Sequence, residues 1–188
     1  MLAKHTKIKF ILVWYFALLI FSCDLQVVYK DQNLDSSLSY ELATIRIKKE
    51  RDVLSQQLRS NLYDVFNPDA TMASSKYFLI LDLNVLTSPT FITTTGASGR
   101  NKVTLVVKYK LKNIQNMTEI SEGKVEIADN YDVSLNRYGT YVAEEYVKNN
   151  LTKLLAQNLR DIILNDLVEL RKKCQNMPKI DSDSECFF

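Results

Sequence analysis

Few side chains in this 188-residue chain could do covalent or acid–base chemistry, and their placement narrows the options. Three cysteines, Cys23, Cys174 and Cys186, and one histidine, His5, are the main nucleophiles and soft metal ligands. Cys23 ends an apolar run, residues 10–21 (FILVWYFALLIF), directly after Ser22 and behind Lys4, Lys7 and Lys9. A charged start, a short apolar stretch and a small residue make an export signal over residues 1–22. The run falls short of the about 20 residues that a membrane span needs. A plain membrane anchor with an incidental cysteine is the competing reading. Cys174 and Cys186 are spaced so that a disulfide could clip the tail to the preceding helix; two unpaired thiols fit the spacing equally. His5 falls inside the leader, so residues 23–188 contain no histidine. That removes Ser–His and Cys–His catalysis and most zinc chemistry. No paired carboxylates mark a site. The expectation is a protein without metal, cofactor or catalytic residues.

Charge supports the same division. The chain carries a net +2, but three lysines sit in the leader, so the remainder is near −1 and no nucleic-acid partner is expected. The 166 residues after the leader suffice for one domain with its own core.

The elements follow from hydrophobic spacing. Residues 23–41 read as a polar, aperiodic tether between the leader and a domain over 42–173. Residues 42–49 (LATIRIKK) alternate like a short strand. Residues 50–66 change to helical spacing, with Leu54, Leu58, Asn61, Leu62 and Val65 in one stripe, and Asn67-Pro68-Asp69 ends it. Three strands follow, at 77–86, 103–111 and 122–131. The middle one alternates most regularly, with Val103, Leu105, Val107, Tyr109 and Leu111 on one side. The link at 87–101 (TSPTFITTTGASGRN) reads as a long Thr-rich loop. From about 138 to 173 a long helix is expected, with Val147, Leu151, Leu155, Leu159, Ile162, Ile163 and Leu170 inward and Glu144, Glu145, Lys148 and Lys153 in water. Residues 174–188 form a polar tail. Strands with polar alternate positions bury one face only. The fold expected is therefore α+β: two helices on one face of a four-stranded mixed or antiparallel sheet, in the order β-α-β-β-β-α.

Two resemblances sharpen this. Ile20, Ser22 and Cys23 resemble the lipobox of bacterial lipoproteins, which implies a lipid on the Cys23 thiol and a mature chain starting there. Across nearly the whole length the chain resembles the LptE family of lipopolysaccharide-assembly lipoproteins, in its α-proteobacterial form. The likeness rests on order and spacing. It includes Gln57-Leu58-Arg59-Ser60-Asn61-Leu62 in the first helix, Tyr109-Lys110-Leu111 ending the middle strand, and Tyr131. It closes with Tyr138-Gly139-Thr140-Tyr141-Val142-Ala143-Glu144-Glu145 leading to Asn150-Leu151-Thr152-Lys153-Leu154-Leu155-Ala156.

The resemblance implies a non-enzymatic lipoprotein that plugs and helps assemble an LptD-like outer-membrane β-barrel and assists insertion of lipopolysaccharide. It implies a lipid-anchored location at the periplasmic face of the outer membrane. Asp24 departs from this, since an aspartate after the lipidated cysteine retains enteric lipoproteins in the inner membrane. Ala143-Glu144-Glu145 stands where enteric relatives carry a basic lipopolysaccharide contact, so that role does not transfer. For a protein handling lipopolysaccharide, Arg100 and Lys102 near the Thr-rich link are the candidate phosphate contacts, because arginine offers phosphate a two-pronged fork. The alternative function is an unrelated periplasm-facing lipoprotein acting as a binding or scaffold module; a carboxylate-based glycan hydrolase is the remote third.

Overall fold

The computed structural model describes residues 32–92, 94, 96 and 98–176. By contacts the chain divides into two compact units, Met1–Asp35 and Ser36–Phe188. The first contributes only the opening turn of one helix to the described residues, and the packing below belongs to the second. The elements in order are α1 (Gln32–Ala43), β1 (Ile45–Ile47), α2 (Val53–Phe66), β2 (Tyr77–Ile92), β3 (Ser98–Asn113), β4 (Glu119–Asp132) and α3 (Arg137–Asn176). The sheet runs β1-β2-β3-β4, with β1 parallel to β2 and the other pairs antiparallel. This is the α+β fold the spacing predicts, with one helix more.

The extra helix is α1, in the stretch read as tether. Leu38 and Leu42, one turn apart, are both buried. Set among Ser36, Ser37, Ser39 and Glu41, this spacing is a weak helix signal. Tertiary contacts hold the helix. The Arg171 guanidinium forms a short ion pair with Glu41 through Nη2, and Nη1 donates to Ser37 Oγ at 3.2 Å. The helix consumes Leu42 and Ala43, so the strand expected at 42–49 shrinks to Ile45–Ile47.

α2 starts at Val53 because Asp52 caps it: Oδ2 accepts from the Ser55 backbone N–H at 3.0 Å. Asn67 ends it, its amide closing a turn with the Thr71 backbone at 2.8 and 2.9 Å.

The second correction concerns residues 87–101. They are no open loop: β2 and β3 stay paired out to Ile92 opposite Ser98, with register shifts only around Pro89, Phe91 and Ile92. Threonine favours a pleated strand, and Pro89 sits where a bulge tolerates a missing N–H. The ribbon is 16 residues on each side, about 50 Å.

Leu58, Leu62, Leu105, Val107 and Leu155 share one core, and Ile162 packs against it half-buried. α3 is 40 residues, about 60 Å, and buries Val147, Leu151, Leu155, Leu159, Ile163 and Leu167 in four-residue steps. Two tyrosines stitch it to the sheet. Tyr109 OH donates to Asp166 Oδ2 at 3.1 Å, joined there by a short bond from Ser121. The Tyr109 ring crosses the backbone of β4 at Gly123, where a Cβ would stand 2.7 Å from the ring. Burial first, and the Asp166 carboxylate after it, push the Tyr109 hydroxyl above its ordinary pKa. Farther along, Asn101 Nδ2 donates to Tyr131 OH at 3.1 Å, and Tyr131 OH donates to Glu144 Oε2 at 3.2 Å.

The α1 junction is electrostatically exacting. Glu41 is buried, and its second oxygen takes no hydrogen bond among the described residues. Burial and the Glu41 charge push the neighbouring Tyr77 hydroxyl up to about 12, with Arg171 acting in the other direction. Removing Arg171 strands a buried carboxylate. Arg171→Met is therefore expected to lower stability by about 2–4 kcal/mol in denaturant unfolding. Glu41→Gln in that background should recover much of the loss; an unchanged midpoint in Arg171→Met would show that α1 is not held this way.

Candidate functional site

The candidate region is the far end of the β2–β3 ribbon, where α3 also begins. Local chemistry brings them together. The Val133 N–H donates to Gly99 O at 3.1 Å, tying the β4–α3 connection to β3. Asn136 Oδ1 then accepts from the backbone N–H of Tyr138 at 3.0 Å, a side-chain cap that starts α3. Thr140 Oγ1 accepts from the Ser134 N–H at 3.0 Å and closes the corner.

Arg100 and Lys102 lie here, but within β3 and not on a turn. Two residues apart, they share the sheet face turned away from the helices. Arg100 is already engaged: its Nε meets Asp132 Oδ1 across the sheet at 2.7 Å. Hydrogen bonding to that carboxylate, and its charge, raise the Arg100 pKa further. The pair is exposed, so it contributes little to stability. Lys102 is exposed and extends the same row. Of the neighbouring hydroxyls, Thr93 and Thr95 lie outside the described residues. So do Cys23 and Cys186; Cys174, in the last turns of α3, is disulfide-bonded.

The acidic stretch of α3 is less solvated than its composition suggests. Glu144 and Glu145 are half-buried and flank Lys148 at 2.7 and 3.2 Å. Burial pulls the Lys148 pKa down, and the two carboxylates more than offset it, leaving a net rise. Elsewhere on the outer sheet face two lysines are paired internally. Lys110 meets Glu119 and Glu122 at 3.2 and 2.6 Å, and Lys124 meets Glu126 at 3.1 Å.

What spacing alone does not disclose is a collar of exposed apolar groups around this end. On α3, Tyr138, Val142 and Tyr146 recur every four residues on a face not used for the core, with Tyr141 beside them; the three tyrosines are 73, 61 and 65 % exposed in chain order. On β2, Leu86, Phe91 and Ile92 are each 60 % exposed. Leu86 pairs with Thr104 on the face away from the helices, whereas the exposed Val85 pairs with the core residue Leu105. Apolar groups therefore emerge on both faces of the ribbon and on the helix. No described helix is long and apolar enough to cross a membrane.

Comparison with solved structures places the fold. The chain is similar to a candidate lipoprotein from Caulobacter crescentus, with a TM-score of 0.60 and 16% identity, over 71% of this chain and 97% of that one. It is also similar to rare lipoprotein B from Shewanella oneidensis, with a TM-score of 0.54 and 14% identity, over 68% and 96% of the two chains. At these identities the likeness establishes a shared fold. No family model and no curated protein matches the chain.

Proposed function

We propose that this chain is a non-enzymatic, lipid-anchored lipoprotein whose domain inserts one end into a hollow protein partner, an LptD-like outer-membrane β-barrel. It would help assemble that barrel and assist passage of lipopolysaccharide. The collar carries the reading. A patch on one side would suit a flat partner, but exposed tyrosines on α3 and apolar groups on both ribbon faces suit a partner that surrounds the end. Tyrosine is well fitted to such a wall, since it is apolar along its body and polar at its tip. The shared fold with rare lipoprotein B and the Cys23 junction of the leader support the same view. Acylation of Cys23 supplies the anchor, and more than one chain is needed for stable attachment.

The anchor and the partner are tested together. Palmitate labelling should be lost in Cys23→Ser, and wild type extracted in detergent from its own membranes should bring down a large β-barrel. Equal labelling of both forms would overturn the anchor. Recovery of the lipidated protein without any barrel would favour a free-standing binding or scaffold lipoprotein. Fractionation of the same membranes decides whether Asp24 retains the protein in the inner one.

For lipopolysaccharide, the Arg100–Asp132 pair gives a directional expectation. Asp132→Asn removes the negative charge beside Arg100 and should strengthen lipopolysaccharide binding. Arg100→Ala/Lys102→Ala should weaken it and make it more salt-sensitive, while unfolding shifts by under about 0.5 kcal/mol. Identical binding by wild type and both variants would remove these residues from the contact.

A further inference from the structure

At the opposite end of the sheet, a crevice of about 380 Å³ opens between the end of α1, β1 and the α2–β2 connection, lined by Ala43, Arg46, Asn67, Thr71, Met72 and Ser74 among others. We propose that it binds a phosphate group, held by the Arg46 guanidinium. Arg46 is the exposed middle residue of β1, between buried Ile45 and Ile47, so its side chain leaves the core and enters this crevice. Its Nε donates to Ser75 Oγ at 2.5 Å, which fixes the plane of the guanidinium. The two terminal nitrogens make no hydrogen bond or ion pair with any described residue. By contrast Arg100, Arg160 and Arg171 are each committed to a carboxylate. The prong of the fork that phosphate prefers is thus pre-oriented and unoccupied.

The walls fit an anion. No carboxylate is part of the lining; Asp69 belongs to the same connection but not to the crevice. The Asn67 amide is used up in bracing the Thr71 backbone, and Ala70 takes a left-handed turn at φ 49°, so the wall has a defined shape. The hydroxyls of Thr71 and Ser74 have no partner among the described residues and can donate to further phosphate oxygens. The site is independent of the barrel reading. β1 pairs with residues 77–79 of β2, and the collar residues 85–92 lie about 20 to 43 Å farther along the strand.

The phosphate could belong to a glycerophospholipid headgroup or to a soluble phosphate ester, and the test separates them. Purified full-length protein in a non-ionic detergent is titrated with glycerol 3-phosphate and with soluble dihexanoylphosphatidylglycerol, followed by calorimetry. Saturable binding is expected, at least tenfold weaker in Arg46→Gln and less weakened in Arg46→Lys, which keeps the charge but loses the fork. Tighter binding of the lipid by tenfold or more assigns a headgroup; equal binding assigns a soluble ester. If Arg46→Gln alters the unfolding midpoint, Ser75→Ala serves instead, and should weaken binding by releasing the guanidinium plane. Absence of saturable binding of either probe, or equal affinity in wild type and the variants, overturns the site.

Discussion

A sheet with one buried face needs cover, and here one helix supplies most of it. α2, at 14 residues, reaches about 21 Å and covers only the end of the sheet near β1. α3 continues past it, stitched at Asp166 by Tyr109 and Ser121 and at Glu144 by Tyr131. Those anchor points are about 33 Å apart on the helix, against about 26 Å for the rise of β3 between Asn101 and Tyr109. Both stitches are hydrogen bonds to carboxylates from half-buried or buried tyrosines, where removing a partner costs more than the bond itself contributes. Because α3 covers β3 and β4, the outer half of β2 is left with nothing over it. Val85, on the helix side of that half, is exposed as a result, while Leu86 beside it is exposed on the opposite face.

This division of labour was legible in the sequence where the signal is local. The alternation from Val103 to Leu111 marks five inward residues of β3, and all five are buried; Thr104 and Val106, on the opposite face, are buried as well, against the reading of that face as solvated. α2 is marked by its stripe and its Asn67-Pro68 stop. What spacing could not reveal is held by partners distant in the chain. α1 depends on Glu41 and Arg171, 130 residues apart, with Leu38 and Leu42 as buried apolar residues beside them. The outer half of the ribbon reads as loop because Thr, Ser, Pro and Gly dominate it, and pairing across β3 overrides that composition. The site was visible in part. Arg100 and Lys102 do share a face, but the neutralising Asp132 lies 32 residues away on another strand. The tyrosines of α3 stand in plain view in the sequence. Their exposure follows only from knowing that the buried line runs through Val147 and Leu151 instead.

In the proposed reading, the two ends of the domain have different tasks. The end at β1 and α1 is polar, ion-paired and joined to the leader side of the chain. The end at the ribbon tip is aromatic and carries Arg100 and Lys102 on its outer face. An enclosing partner would bury the collar and supply the apolar contact that the sheet lacks there. Such burial is favourable at about 25 cal/mol per Å² of apolar surface. Several tyrosines and aliphatic groups at once give a substantial drive, reduced by the cost of association. The internally paired lysines of the outer sheet face are consistent with a surface that must sit in a confined polar space without attracting every anion.

The most direct measurement is photo-crosslinking in native membranes from two sides of the same end. A photoreactive residue at Leu86 probes the face of the ribbon away from the helices, and one at Tyr146 probes the outer side of α3. A partner that surrounds the end predicts crosslinks to one and the same β-barrel protein from both positions, with none from a probe at Met72, at the far end of the sheet. Crosslinks from only one of the two, or to different proteins, would contradict enclosure.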